Sequence, residues 1–217
     1  MKSSNGASMI RYRFVKHEDH HTYQWVNDKY REIKFPLSTK NDRILIAEKG
    51  YSSEDERDGD GDNNDNKIGM IKVGIGRLIH FTPTTTSNDD NDSHDDDDTE
   101  TDIVEDHWEL GGIYVEESAR RQGVARELVT RLIQEMKSKI QCNTKTTILW
   151  CIPFQHLQDF YISCGFQPVL PPLDDTDNVQ RRQRLLLPKP LQCKLCKCSS
   201  AFPDVPTTVL KMNLLKK

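Results

Sequence analysis

The chain has 217 residues, of which 35% are hydrophobic, and a formal net charge of −4. This is enough apolar material for one α/β domain with a core. No apolar stretch approaches the roughly 18 residues of a membrane span, and the first residues lack the apolar core of a secretory signal. Six cysteines without such a signal are typical of reduced thiols, so we expect an intracellular protein, cytoplasmic or nuclear.

The acidic residues are concentrated in two tracts. Residues 51–66 hold seven acids and one base, and residues 88–106 hold eleven acids and no Lys or Arg. The rest of the chain therefore has 29 bases against 16 acids, and a basic body of this kind suits an anionic ligand. Nucleic acid is the competing interpretation, but no recognition motif or basic-aromatic stripe supports it.

The first half of the chain predicts mainly strands, from the alternation of apolar and polar residues and from β-branched runs. Its one helix follows from apolar spacings of three and four. In chain order the predicted elements are a strand, a helix and three further strands: Ile10–Val15, Glu18–Ile33, Arg43–Glu48, Lys67–Phe81 and Trp108–Val115. The tracts 51–66 and 82–106 fall between the last three strands, so we interpret them as acidic low-complexity loop insertions.

The second half contains the clearest helix, Gly123–Ile140, which has one continuous apolar face. The elements predicted after it are a buried strand, a short helix and two last strands: Thr146–Ile152, Gln155–Cys164, Phe166–Leu170 and Val209–Leu214. Gly165 is the expected stop signal of the short helix. A Pro/Lys/Arg-rich insertion, 171–206, separates the last two strands, and the predicted order has no element within it.

The predicted order is therefore β-α-β-β-β-α-β-α-β-β. Three central strands that follow one another without helices predict an antiparallel meander. The step from Trp108–Val115 through the long helix to Thr146–Ile152 predicts a right-handed parallel crossover. We predict a single α/β (α+β) domain over residues 1–217, with a mixed, mainly antiparallel central sheet, one parallel βαβ crossover and helices on both faces.

An anion site is predicted at the start of the long helix. The run Arg120-Arg121-Gln122-Gly123-Val124-Ala125 lies between a predicted strand and this helix, whose first N–H groups are unpaired and carry a partial positive charge. Gly123 lets a ligand approach closely, and Arg120, Arg121 and Arg126 add charge. The run is neither a nucleotide-hydrolase phosphate loop nor a dinucleotide fingerprint.

The run resembles the Arg/Gln-x-x-Gly-x-Gly/Ala signature of the GNAT superfamily of acetyl-CoA-dependent N-acetyltransferases. Three further segments are similar to the family's central strand, its last helix with the Gly-Phe that ends it, and its closing strand: Leu110–Val115, Asp159–Phe166 and Val209–Leu214. The resemblance is strong over 108–170, holds by element order only over 10–81 and is missing over 171–206.

The resemblance implies acetyl-CoA as co-substrate and an amine as acceptor. Main-chain groups of Ile113, Tyr114 and Val115 would hold the pantetheine arm. The main-chain N–H groups of Arg121, Gln122, Gly123, Val124, Ala125 and Arg126 would hold the pyrophosphate. The thioester would lie where Trp108–Val115 diverges from Thr146–Ile152, and N–H groups near Ile113 would polarise its carbonyl.

The resemblance also implies two catalytic candidates. Glu109 lies eleven residues before Arg120, where some members place a catalytic glutamate, and would take the proton of the acceptor amine. The alternatives are that a chain of waters takes this proton and that Glu109 is a strand-end glutamate that merely faces solvent. Tyr161 stands at the tyrosine position of the family's last helix and would donate a proton to the leaving thiolate, although a core tyrosine is the competing interpretation.

Two motifs resemble metal sites but lack ligands. Cys193, Cys196 and Cys198 provide three thiols for zinc without a nearby fourth ligand, and Asp58–Asp62 begins like a calcium loop that lacks its later ligands. We therefore predict no metal. An N-acetyltransferase acting on a small molecule or protein is the first functional prediction, and a non-catalytic CoA-binding regulatory module on the same fold is the alternative. The acceptor stays open.

Overall fold

The computed structural model describes residues 9–51, 69–81, 105–140, 146–169, 187–201 and 204–214. Almost all of the two acidic insertions lies outside these residues, as does half of 171–206. In chain order the elements are β1 (Ile10–Phe14), α1 (His20–Glu32), β2 (Arg43–Tyr51), β3 (Gly69–Phe81), β4 (Asp106–Val115), α2 (Val124–Ile140), β5 (Thr147–Cys151), α3 (Gln158–Ser163), β6 (Gln167–Pro168), α4 (Lys189–Ala201) and β7 (Leu210–Leu214). No helix in the described part of the chain is long and apolar enough to cross a membrane.

The seven strands form one sheet in the order β1-β2-β3-β4-β5-β7-β6. The pairs β1–β2, β2–β3, β5–β7 and β6–β7 are antiparallel. The pair β4–β5 is parallel, as expected for two strands joined through a helix. The predicted fold class, a mainly antiparallel mixed sheet with one parallel pair and helices, is confirmed.

The chain divides into two compact units. The first draws its described residues from Met1–Leu78 and Gly112–Ile133, and the second from Ile79–Gly111 and Gln134–Lys217. The strands β3 and β4 and the helix α2 each contribute residues to both units. The prediction of one domain over 1–217 stays a prediction.

The core of the first unit forms where α1 packs on its strands. The side chain of Asp19 caps α1 by accepting a hydrogen bond from the Thr22 N–H at 3.0 Å, which satisfies one of the orphan donors of the first turn. Arg13 of β1 bonds both to Asp19, at 2.9 Å, and to Glu48 of β2, at 3.0 Å. The apolar face of α1 then contributes to a cluster of buried residues: Val15, Val26, Tyr30, Ile44, Ile46 and Ile75.

The core of the second unit is built on β5, all five residues of which are buried. A cluster of buried side chains joins this strand to β7 and α4: Ile148, Trp150, Leu187, Leu191, Leu195 and Val209. Leu191 and Leu195 are four residues apart on α4 and therefore share one face of the helix. Burial of this face holds α4 on the sheet.

Two predictions for the end of the chain are wrong. The insertion 171–206 contains the helix α4, although its abundance of Pro, Lys and Arg predicted no element. The Leu191–Leu195 spacing is a helical signal, but it is short and lies between polar residues. Of the predicted strand Phe166–Leu170, only Gln167–Pro168 is a strand within the described residues 166–169, and Leu170 lies outside them. Phe166 is buried directly after Gly165, whose φ is +99°.

We predict that Leu191→Ala lowers the free energy of unfolding by about 2–5 kcal/mol, the usual cost of removing a fully buried leucine, since Leu191 is 0% exposed. Lys197→Ala, at an exposed position of the same helix, changes it by less than about 0.5 kcal/mol. Urea unfolding of the full chain measures both values. Equal stabilities for the two variants would show that α4 does not pack on β5.

Candidate active site

The predicted anion site lies in the first unit, where a tight turn leads into α2. A short 3-10 turn, Glu117–Ala119, follows β4, and α2 begins at Val124. Between them Arg121 and Gly123 both adopt left-handed backbone conformations, with φ of 60° and 79°. Such turns point successive N–H groups in one direction, and the first N–H groups of a helix have no acceptor within it. The segment can therefore hold a phosphate group.

Gly123 leaves open space at this turn. A Cβ placed on it would meet nothing within 4 Å, so none of the residues that the structure describes fills the side-chain position of this glycine. Two side chains of the run stabilise the turn itself: Arg120 donates from Nε to the Val115 carbonyl at 3.2 Å, and Gln122 donates to the Ser118 carbonyl at 2.9 Å. The run thus combines a braced backbone with an accessible glycine.

The end of β4 is shaped by a left-handed glycine. Gly112 has a φ of +61°, which an L side chain rarely adopts. Its carbonyl accepts a hydrogen bond from the Tyr30 hydroxyl at 3.0 Å, and a Cβ on it would lie 2.8 Å from Cζ of Tyr30. The glycine comes immediately before Ile113, Tyr114 and Val115, so the tyrosine restrains the backbone that, by the family resemblance, would hold the pantetheine arm.

An ionic contact also ties α1 to the end of β4. Glu116 pairs with Lys29 at 3.0 Å and accepts a hydrogen bond from the Tyr114 hydroxyl at 2.7 Å. Partial burial acts to raise the pKa of Glu116, but the hydrogen bonds from Tyr114 and Lys29 outweigh it and hold that pKa below its usual value. Glu116 is therefore ionised at neutral pH and restrains both partners.

Glu109 lies in the second unit and is buried. Its strand pairs in parallel with β5 over Asp106–Glu109, so Glu109 stands opposite Trp150 at the last pair of this register. The Glu109 side chain is 2% exposed, and its Oε1 atom contacts the Nζ atom of Lys194 from α4, which is 14% exposed. The alternative of a glutamate that merely faces solvent is wrong, because α4 covers this position.

Tyr161 also lies in the second unit, on α3, and is buried. Its hydroxyl makes a hydrogen bond with the thiol of Cys151, the last residue of β5. Burial, with Cys151 as a smaller contributor, raises the pKa of Tyr161 well above its usual value near 10. The phenol is therefore protonated at neutral pH and can donate a hydrogen bond.

The predicted site residues thus fall into two groups, one in each unit. Ile113–Val115 and Arg120–Arg126 belong to the first unit, and Glu109 and Tyr161 to the second. Lys194 was not predicted as a site residue, because nothing in its spacing links α4 to β4. Tyr30 was not predicted either, because it has the pattern of an ordinary core residue of α1. Within the described residues no three His, Cys, Asp or Glu side chains converge on a possible metal position.

We predict that Gly112→Ala lowers the free energy of unfolding by about 2–5 kcal/mol, the sum of left-handed strain and overpacking against Tyr30. Gly123→Ala shares the left-handed φ but adds a Cβ in open space, so we expect a loss of only about 1–2 kcal/mol. Denaturant unfolding of the two variants measures the cost of crowding at Gly112, where a Cβ would meet Tyr30 and, at 3.1 Å, Cε1 of Phe35. A difference below about 0.5 kcal/mol would contradict this role of Tyr30.

Comparison with solved structures shows distant likeness. NAA60 of Arabidopsis thaliana in complex with acetyl-CoA is 10% identical, with a TM-score of 0.49, and the match covers 95% of this chain and 99% of that one. N-acetylglutamate synthase of Neisseria gonorrhoeae, complexed with coenzyme A and N-acetyl-glutamate, is 11% identical with a TM-score of 0.49, over 96% of this chain and 36% of that one. ElaA of Escherichia coli is 15% identical with a TM-score of 0.45, over 94% and 99% of the two chains.

A comparison with curated proteins found no significant match. The comparison with family models did find one: residues 20–166 match the acetyltransferase (GNAT) family. The match runs from α1 to the residue after Gly165 and includes β4, the turn before α2 and α3. Since it covers more than half of the chain, this chain belongs to the GNAT acetyltransferase family.

Proposed function

We propose that this chain is an N-acetyltransferase that moves the acetyl group of acetyl-CoA to a primary amine of a small molecule or protein. The observation that carries the proposal is the turn before α2. It lies within the GNAT match, has open space at the side-chain position of Gly123 and leads into the unpaired N–H groups of a long helix. These features suit the pyrophosphate of CoA.

Acetyl-CoA binding is proposed for both segments of the first unit. The N–H groups of Arg121 to Arg126 hold the pyrophosphate, and the Arg120 side chain adds charge while bracing the turn. Main-chain groups of Ile113, Tyr114 and Val115 hold the pantetheine arm. The left-handed Gly112 just before them changes the backbone direction at this end of the strand. This supports a role for these residues in binding the pantetheine arm, beyond strand pairing.

Glu109 is the proposed general base. An amine with a pKa near 10.4 is neutral in only about one molecule in a thousand at pH 7, so the reaction needs a group that takes the proton. A buried carboxylate on the central strand is suited to this, and its contact with Lys194 indicates that an amine nitrogen reaches Oε1. A water chain is the alternative base.

Tyr161 is the proposed acid. Its raised pKa keeps the phenol protonated, but a complete proton transfer to a thiolate with a pKa near 8.5 is uphill. The tyrosine therefore acts chiefly as a hydrogen-bond donor to the charge that develops on sulfur. Its present contact with Cys151 supports this, because that partner is also a sulfur atom.

A non-catalytic CoA-binding module is the second candidate. The Glu109–Lys194 contact favours it, because a carboxylate that already holds an ammonium is a poor base for another amine. The two candidates share acetyl-CoA binding and differ only in turnover.

Turnover is tested by release of free thiol from acetyl-CoA with amino acids, polyamines, arylamines and peptides as acceptors. We expect thiol release with at least one acceptor class. Glu109→Gln should lower kcat by about 10²–10⁴-fold, the range for losing a general base, with an unchanged Kd for acetyl-CoA. Binding without thiol release for all classes would favour the module, and a lack of binding would contradict both functions.

Tyr161→Phe should lower kcat about ten- to a hundredfold, as expected for one hydrogen bond to a charged group, with Kd for acetyl-CoA within about twofold. Tyr23→Phe is the matched control, since Tyr23 lies on α1 and its pKa is also raised by burial. It should leave kcat unchanged. Equal kcat for Tyr161→Phe and the unaltered chain would make Tyr161 a core residue only.

A further inference from the structure

The helix α4 brings an amine onto the proposed base. Lys194 lies on the face of α4 next to Leu195, and its Nζ atom contacts Oε1 of Glu109 across 85 positions of sequence. Both side chains are largely buried, Glu109 the more so. Other groups that face this position are His107, which lies on the same side of β4 and bonds through Nδ1 to the Trp150 indole at 3.1 Å, and the backbone of Gly111.

The surroundings hold the amine in place. Leu191 and Leu195 anchor α4 in the cluster that also contains Trp150, the residue opposite Glu109. A Cβ on Gly111 would lie 2.9 Å from Oε1 of Glu109 and 3.5 Å from Nζ of Lys194. The ion pair therefore sits directly over a glycine backbone, at a site that any larger residue would crowd.

A general base must lie within hydrogen-bond reach of the proton it removes. If Glu109 is the general base of the proposed function, Lys194 places its amine at the position that an acceptor amine would occupy. We propose that Lys194 is an internal acceptor: the chain acetylates the Nζ atom of Lys194 with acetyl-CoA. This modification site rests on the proposed function, because it uses the same donor and the same base.

The step balances without a further reactant. Glu109 takes one proton from the Lys194 ammonium, and the neutral nitrogen attacks the thioester carbonyl. The N–C bond forms as the C–S bond breaks, a second proton leaves the nitrogen, and the CoA thiolate is protonated. The products are acetyl-lysine, free CoA and one proton released to solvent. The acetylated nitrogen is uncharged and no longer pairs with Glu109, so the carboxylate becomes available to other amines.

The same helix carries two internal controls. Lys189 and Lys197 are exposed, whereas Lys194 is mostly buried and pairs with a carboxylate. Uncatalysed acetylation by a thioester favours exposed amines, which acetyl-CoA reaches freely. Enzymatic transfer through Glu109 favours Lys194 alone. The positions of the acetyl groups on α4 therefore distinguish uncatalysed acetylation from enzymatic transfer, and no variant is needed for this comparison.

The full chain is incubated with acetyl-CoA and no acceptor, and the acetyl groups on the α4 peptide are mapped by mass spectrometry. We expect Lys194 to be acetylated at least tenfold faster than Lys197, with a half-time independent of protein concentration. Glu109→Gln should slow the modification of Lys194 by about 10²–10⁴-fold and leave Lys197 unaffected. Thermal unfolding verifies that this variant is folded. If the variant is unfolded, the test is the ratio of the acetylation rates of Lys194 and Lys197 in the unaltered chain.

Three results would overturn the inference: Lys194 stays unmodified, Lys197 is modified equally fast, or the half-time shortens as protein concentration rises. If external amines are acetylated while Lys194 is not, the proposed function stands and the internal acceptor fails. If acetyl-CoA binds and no amine is acetylated, the proposed function itself fails. Lys194→Gln, which resembles the acetylated side chain, should remove any lag in the turnover of external acceptors that the unaltered chain shows.

Discussion

The hydrogen bond from Tyr30 to the Gly112 carbonyl is the constraint on which the first unit depends. It joins the last turn of α1 to β4, at a glycine whose backbone is left-handed. The Tyr30 ring fills the space that a side chain would need, so a glycine and a buried aromatic residue have to occur together. The hydroxyl is fully buried with its partner, and burial raises the pKa of Tyr30, so the donor keeps its proton.

The second unit depends on a buried pair of charges. Taking a carboxylate and an ammonium out of water costs several kcal/mol per ion, and good contact offsets much of this cost. Removal of one partner leaves the other charge buried and unpaired, which is strongly unfavourable. The apolar face of α4 supplies the burial that brings the pair together. A helix from an insertion of biased composition thus covers the carboxylate on the central strand.

Elements with long, local apolar patterns were predicted well, and elements without them were not. The helix α2 and the strand β5 were predicted to within one or two residues, because their apolar patterns are local and long. The parallel step between β4 and β5 followed from the intervening helix. The helix α4 was missed because only Leu187, Leu191 and Leu195 mark it, within a stretch rich in Pro, Lys and Arg. The strand predicted at Phe166–Leu170 is shorter within the described residues, where it covers only Gln167–Pro168.

By itself the sequence determined the fold class and the order of the elements outside 171–206, since these arise from local periodicity. It also predicted an anion-binding turn, from a short run of adjacent residues. It also singled out Glu109 and Tyr161 by resemblance. Only the tertiary structure decided what surrounds them: a lysine 85 residues away contacts Glu109, and a cysteine of β5 contacts Tyr161. Such contacts depend on how distant segments pack, and no local spacing encodes that packing.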